Sequence, residues 1–193
     1  MIRRIAAIAA ASLVAACGGE PVRLDYYTLS SPPAPSAPAA APAPFTVHVG
    51  PVSVPDGVDR PQIVLRLDDN RVTIDDNHHW IEPLKNAIPR VISDALAREL
   101  NTPRVLTSRQ SSALDIDYRV AVDVQHFESS SSEVSEDVLW TIRSRKTKEP
   151  KLGRSVVRES APGGFEGIAA AHSRALERVA HDIAAAIRSM EGR

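Results

Sequence analysis

The sequence predicts an α+β sandwich, an α/β architecture in which a mostly antiparallel β-sheet carries two main helices on one face. The clearest strand signal covers residues 116–125, where apolar residues alternate with polar ones. Two longer segments, 80–100 and 168–187, repeat apolar residues every three or four positions, as amphipathic helices do. One apolar sheet face and two apolar helix faces can cover one another, which gives the two layers.

The first 16 residues are typical of an export signal, because Arg3 and Arg4 precede an unbroken small or apolar run. That run is shorter than the roughly 20 residues that a transmembrane helix needs. The following Leu13-Val14-Ala15-Ala16-Cys17 resembles the lipobox of bacterial lipoproteins. The resemblance implies cleavage after Ala16, acylation of Cys17 and, with Gly18 next, an outer-membrane location facing the periplasm. The alternative is an ordinary secretory signal followed by a chance cysteine.

The remaining chain divides into three parts. Residues 17–29 are predicted to be the anchor followed by a strand that docks on the body, since Leu24-Asp25-Tyr26-Tyr27-Thr28-Leu29 is β-prone. Residues 30–44, rich in proline and alanine, cannot bury a core and are predicted to be an extended tether. A proline-rich ligand for a recognition module is the alternative. Residues 45–193 are long enough for a single α/β domain.

Within the domain, each element follows from a local pattern. Alternation predicts a strand at 45–52, and two short strands, 62–67 and 71–74, flank the turn Asp68-Asp69-Asn70. The helical stripe from Trp80 to Leu100 contains Pro89, which predicts either a kink or a regular helix that begins near Ile88. Three strands joined by short loops, 116–125, 134–145 and 155–160, predict an antiparallel meander. A last helix opens after Pro162-Gly163-Gly164.

The sequence contains no convincing catalytic or metal-binding pattern. His78 and His79 are adjacent, which points the two imidazoles apart, and Asp76 and Asn77 before them are interpreted as helix starters. Asp115 and Asp117 fit a solvated strand face, and His172 fits the buried stripe of the last helix. A formal net charge of −1 gives no basic surface for nucleic acid. We therefore expect no enzyme, no metal and no cofactor.

Several segments together are similar to one protein family. They are Tyr26-Tyr27-Thr28-Leu29, Val49-Gly50-Pro51-Val52, Asp59-Arg60-Pro61-Gln62-Ile63-Val64 and His79-Trp80-Ile81-Glu82-Pro83-Leu84. The chain thereby resembles the ABC-type transport auxiliary lipoproteins of the paraquat-inducible (Pqi) type. The resemblance implies an accessory component of an MCE-domain lipid transport system, which docks the periplasmic MCE tunnel at the outer membrane and maintains membrane integrity.

The resemblance also suggests a partner-binding set. Arg60, Trp80 and Glu82 lie in the matching motifs and are the candidates for contact with the MCE protein. Alternatively, Trp80 is a core residue that opens the first helix, and Arg60 simply pairs with Glu82. Assembly into a homo-oligomer is left open. The alternative functions are an outer-membrane assembly chaperone or pilotin and, in a third class, a periplasmic hydrolase or metal-binding protein.

Overall fold

The computed structural model describes residues 23–32, 42–107 and 115–192. The predicted signal peptide, Cys17 and residues 33–41 of the predicted tether lie outside the described residues. Eight strands and two helices occupy the described ranges. They are β1 (Asp25–Tyr27), β2 (Val47–Ser53), β3 (Gln62–Asp68), β4 (Arg71–Trp80), α1 (Leu84–Glu99), β5 (Val105–Thr107), β6 (Tyr118–Ser129), β7 (Glu133–Ser144), β8 (Lys151–Ser160) and α2 (Gly164–Glu191).

Strand β6 lies in the middle of a single sheet. Along one edge it pairs antiparallel with β7, which in turn pairs antiparallel with β8. Along the other edge it pairs parallel with β2 over residues 118–123 and, at its end, parallel with β3 at Leu65 and Ser129. β5 then pairs parallel with β2, β4 pairs antiparallel with β3, and β1 pairs parallel with β4. The long strand β6 thus holds the two halves of the sheet together.

The predicted α+β fold and the β6–β7–β8 meander are confirmed, and the sheet is mixed, with parallel pairings beside the long antiparallel ones. The three pairs that are consecutive in sequence, β3–β4, β6–β7 and β7–β8, are antiparallel, because their short connections allow only a hairpin. Every pairing between strands that are distant in sequence is parallel. The sequence pattern of the strands predicts hairpins with short connections, but it does not predict which strands distant in sequence pair with each other.

The core lies between the sheet and the two helices, which pack on each other and on the same sheet face. Strand β6 contributes Val120, Val122 and Val124, and β7 contributes Val138 and Ile142. The predicted stripe of α2 is buried throughout, and alanines beside it allow close approach. Within the described residues, no helix has the length and hydropathy to cross a membrane.

The segment before α1 differs from the prediction. β4 continues to Trp80, so Asp76 and Asn77 belong to a strand and do not start a helix. The reason is local: the Asp75 carboxylate accepts the N–H groups of Asn77 and His78, and β4 keeps its pairing with β3 and β1 on either side of this turn. Helix α1 begins at Leu84, after Pro83, and contains Pro89. A helix start near Ile88 is therefore wrong.

Both flanks of the proline- and alanine-rich segment are docked on the body. Before it, Leu29 is buried, the Ser30 N–H donates to Ser173 Oγ at 3.0 Å, and Arg98 donates to the Pro32 carbonyl at 3.0 Å. After it, the Ala43 N–H donates to the Asn101 carbonyl at 2.9 Å. The segment therefore joins two points on the body. Any spacing between Cys17 and the body is set by residues 18–22.

Candidate docking site

Three of the motif segments meet at one corner of the molecule. Parallel pairing places Tyr26 beside His79 and Tyr27 beside Trp80, and the Ile81 N–H donates to the Tyr27 carbonyl at 2.9 Å. Antiparallel pairing places Gln62 beside His79. We call this region, formed by residues 26–29, 59–64 and 79–84, the motif corner. Segments that are far apart in sequence thus form one continuous surface.

The Trp80 side chain belongs to the core of this corner, and only 6% of it is exposed. Its ring meets those of Phe127 and His172 edge to face, each at 6.2 Å between centroids. The backbone N–H of Trp80 donates to the Pro61 carbonyl at 2.6 Å. Trp80 closes β4 rather than opening α1, and it fixes the position of the two residues that follow.

Glu82 is held by Arg90 of α1 and not by Arg60. The Glu82 Oε1 atom lies 2.6 Å from Arg90 Nη2, and the same nitrogen donates to the Leu29 carbonyl at 2.9 Å. One guanidinium therefore ties the end of β1, the segment after β4 and the first helix together. The pair is about one-third exposed, so Glu82 still offers a carboxylate oxygen to the surface.

Arg60 is half-buried beside the start of β3. Its backbone N–H donates to the Val58 carbonyl at 2.8 Å, whereas its side-chain Nε is buried and makes no hydrogen bond to any described residue. A buried guanidinium N–H without an acceptor costs free energy. Of the three predicted partner-binding residues, Arg60 is thus the one whose hydrogen bonding is least complete.

Ile81 is the surface residue of this corner that the sequence analysis missed. Its side chain is 60% exposed although it stands between the buried Trp80 and the paired Glu82. Strand alternation turns Ile81 outward once Trp80 turns inward. The available signal was the motif itself, but reading residues 80–100 as a helix placed Ile81 on the wrong type of element.

A groove of about 410 Å³ continues from Glu82 along α1 to the ends of β2 and β5. Its wall carries charges of both signs, including Lys85, Arg90 and Asp94, above apolar Val49 and Val105. The Ser93 hydroxyl is buried in this wall and makes no hydrogen bond within the described part of the chain. The groove can therefore accept a polar group together with a short apolar side chain.

A second cluster, fully buried, has the connectivity of a catalytic triad. His172 Nδ1 lies 2.8 Å from Glu136 Oε1, and His172 Nε2 lies 2.9 Å from Ser129 Oγ. The imidazole stacks on Phe127 at 3.7 Å between centroids. The apolar stripe of the last helix correctly predicts a core position for His172. No local pattern links it to Ser129 or Glu136, because those two residues lie on different strands.

The pKa shifts in this cluster are unfavourable for a serine hydrolase mechanism. Burial, with the nearby Glu159 carboxylate, raises the pKa of Glu136 well above its usual value, and burial lowers the pKa of His172 to about 3. A serine nucleophile needs a base that can take up its proton, and an acidic partner that stays ionised. Here the acid favours its neutral form and the imidazole resists protonation. The cluster fits a buried, neutral hydrogen-bond network.

The other candidate metal ligands make contacts with side chains of the protein itself. His78 Nδ1 lies 2.6 Å from Asp75 and its ring stacks on Phe165, whereas His79 faces Tyr26 on the opposite side of the strand. Asp115 and Asp117 both pair with Arg145. Over the described ranges, no group of three or more metal-ligating side chains occurs.

Comparisons with known proteins agree with this fold. A crystal structure of an uncharacterized protein superposes with a TM-score of 0.70 at 17% identity, covering 86% of this chain and 99% of that one. A DUF330 protein from Xanthomonas campestris gives 0.66 at 18% identity, covering 82% and 91%. The PelC dodecamer from Paraburkholderia phytofirmans gives only 0.43 at 10% identity, covering 76% and 93%, and supports no argument.

No curated protein sequence matches the chain significantly. The model of one sequence family, described as the ABC-type transport auxiliary lipoprotein component, matches residues 27–184. The match takes in nearly all of the motif corner, all strands from β2 to β8, α1 and α2 as far as residue 184. Such a family is a class of transport accessory lipoproteins and not a class of enzymes. The chain belongs to the ABC-type transport auxiliary lipoprotein family.

Proposed function

We propose that this protein is acylated at Cys17, faces the periplasm from the outer membrane, and docks an MCE-domain protein of an ABC-type lipid transport system. In this role it links the periplasmic MCE tunnel to the outer membrane and maintains membrane integrity. Its work is surface contact, with no catalytic step, no metal and no cofactor. The observation that carries the proposal is the motif corner, where separate family motifs form one surface beside a groove.

The chemistry of the corner suits contact with a protein. An exposed Ile81, the half-buried Arg60 and the carboxylate of Glu82 lie on neighbouring segments. Interfaces combine an apolar anchor with a few directed polar groups in this way. Trp80 contributes from beneath, because its buried ring holds Ile81 and Glu82 in place.

Co-purification tests the proposal. We expect the MCE protein to be recovered with the full-length acylated lipoprotein after extraction in mild detergent. Ile81→Asp and Arg60→Glu should each reduce the recovered MCE protein by about ten-fold, as the loss of an interface anchor does. Val156→Asp, on an equally exposed apolar residue of β8, is the matched control and should leave recovery unchanged.

Two outcomes would contradict the docking proposal. One is the persistent absence of an MCE protein from the wild-type extract. The other is an equal loss of recovery in Ile81→Asp and Val156→Asp, which would show that a charge anywhere on the surface has the same effect. Because a charge at Ile81 sits on an exposed side chain, both variants should keep the wild-type thermal unfolding midpoint.

The alternative is an outer-membrane assembly chaperone or a pilotin. Its partner would be an outer-membrane pore, and deletion of the lipoprotein would mislocalise that pore. Assembly of the protein into a homo-oligomer is compatible with either function, and sedimentation of the detergent-solubilised protein would measure it.

A further inference from the structure

The hairpin formed by β3 and β4 ends in an exposed apolar tip. We define the hairpin tip as residues 66–74, around the turn at Asp69 and Asn70. Leu67, Val72 and Ile74 are 53%, 51% and 42% exposed, although they stand within nine residues of one another. The backbone pairing of β3 with β6 is confined to Leu65 and Ser129, so the residues beyond Leu65 have no strand paired with them on that edge.

Val72 and Ile74 share one face of the hairpin tip, because Val72 pairs with Arg66 and Ile74 pairs with Val64. Leu67 stands beside the turn, at the register shift between Arg66 and Asp68. The three exposed apolar side chains thus flank the turn at the free end of the hairpin. An end of this kind can enter an apolar medium.

The anchor places this tip close to the bilayer. β1 runs parallel to β4 with Asp25 beside His78, so the chain before β1 points along β4 toward Arg71. From His78 to Arg71 is about 23 Å at roughly 3.3 Å per residue. From Asp25 back to Cys17 is at most about 29 Å at full extension. An acylated Cys17 therefore reaches little further than the hairpin tip itself.

The formal charges of the tip sum to zero, because Arg66 and Arg71 balance Asp68 and Asp69. Arg71 pairs with Asp68 at 3.2 Å, and Arg66 donates to the Asp69 carbonyl at 3.0 Å and pairs with Glu128. No net charge is left to attract anionic lipid or a charged protein. Contact with a membrane would then depend on apolar area, and it would be insensitive to the charge of the headgroups.

We propose that the hairpin tip inserts Leu67, Val72 and Ile74 into the interface of the anchoring bilayer, as a second attachment beside the acyl chains. The inference rests on the acyl anchor of the proposed function. It leaves the motif corner free, because Trp80 lies at the opposite end of β4 from the tip, at most about 30 Å away. The lipid anchor and the hairpin tip together fix how the body stands on the membrane.

Depth-dependent quenching tests the inference on the full-length acylated chain. Because Cys17 carries the acyl chains, Asn70→Cys introduces a single free thiol at the turn, and Glu149→Cys introduces one in the β7–β8 connection at the far end. Each thiol receives a nitrobenzoxadiazole probe, and the protein is reconstituted into phosphatidylcholine vesicles with nitroxide-labelled lipid. We expect quenching at residue 70 to exceed that at residue 149 by about five-fold or more.

Substitutions to threonine separate apolar insertion from mere proximity. The triple variant Leu67→Thr, Val72→Thr and Ile74→Thr keeps the β-propensity of the hairpin and should lower quenching at residue 70 to near the level at residue 149. The matched control changes Leu139, Leu152 and Val156, which are 39%, 71% and 63% exposed on β7 and β8, and should leave quenching at residue 70 unchanged. Replacing a third of the lipid by phosphatidylglycerol should also leave it unchanged.

Each remaining outcome overturns the inference. If the chain is acylated but the probe at residue 70 stays in water, the membrane-insertion inference is wrong and the acylation of Cys17 is unaffected. An unmodified Cys17 in the mass spectrum of the N-terminal peptide overturns the anchor and this inference together. A probe shift that needs a high protein concentration and ignores the nitroxide lipid would assign the tip to a second copy of the chain. The threonine variant's thermal unfolding midpoint, expected to match wild type, excludes misfolding as the cause.

Discussion

At the scale of single residues, the buried network of Ser129, Glu136 and His172 makes stability depend on pH. The native state holds a proton on Glu136 to a higher pH than the unfolded state does, so stability falls as the pH rises above the ordinary value of 4.5. The native state resists a proton on His172, so stability falls as the pH drops from 6.5 toward about 3. Between 4.5 and 6.5 the two effects oppose each other.

Glu136→Gln isolates the carboxyl contribution. The amide can still bond to His172 but has no proton to lose, so the variant should gain stability relative to wild type as the pH rises above 4.5. The limiting gain is about 1.4 kcal/mol per pH unit. Urea unfolding of both proteins at pH 5, 6.5 and 8 measures the difference. A difference that does not change with pH would show that Glu136 ionises in the native state.

Gly153 of β8 is required for the packing of Trp140. The two residues pair directly across β7 and β8, and a Cβ on Gly153 would lie 2.1 Å from the Trp140 ring. Gly153→Ala should therefore push the ring away and strain its indole hydrogen bond to Ser155, at a cost of about 1–3 kcal/mol. Thermal unfolding and tryptophan fluorescence would report the change. Val156→Ala, with no such neighbour, is the control.

At the scale of elements, periodicity located most of the secondary structure but few of its partners. The alternation around Val120 and Val122 predicted β6, because one face of that strand is buried and the other faces solvent. The last helix was equally visible, since its stripe is buried along its whole length. The short strand β5 was missed, because three half-buried residues carry no period.

The sequence motifs name three candidate residues but do not predict the contacts of their side chains. Arg60, Trp80 and Glu82 lie within one corner, but the sequence could not show that Glu82 pairs with Arg90 or that Trp80 turns inward. The polar run before Trp80 hid the length of β4, because strand propensity is low for aspartate and asparagine. Cross-chain contacts of this kind depend on the fold and leave no local pattern.

The proline- and alanine-rich segment should be dispensable for membrane distance. Its flanks are held by hydrogen bonds to Ser173, Arg98 and Asn101, so its length does not enter the path from Cys17 to the body. Replacing residues 33–41 by a glycine-serine sequence of equal length should leave the quenching at residue 70 unchanged. A fall in that quenching would mean that the segment, and not residues 18–22, positions the body.

At the scale of the whole molecule, the proposed orientation depends on two features: the short path from the proposed anchor at Cys17 and the separation of the hairpin tip from the motif corner. The tip and the corner lie at opposite ends of β4, a strand paired on both sides near Trp80 and therefore fixed in the body. If the tip lies in the membrane interface, the corner stands roughly one strand length above it. That height would present the corner and its groove to a partner in the periplasm.

Lengthening the path from Cys17 tests this orientation as a unit. Ten flexible residues inserted before Arg23 add at most about 35 Å of reach, which frees the body from the surface while the acyl chains still hold it. We expect the membrane-bound fraction to stay at the wild-type level, the quenching at residue 70 to fall, and recovery of the MCE protein to fall with it. In the control, the same ten flexible residues replace residues 33–41. This variant should change neither the quenching at residue 70 nor the recovery of the MCE protein. Loss of quenching with full recovery of the partner would separate the two functions: the hairpin tip would then contact lipid without setting the height at which the partner docks.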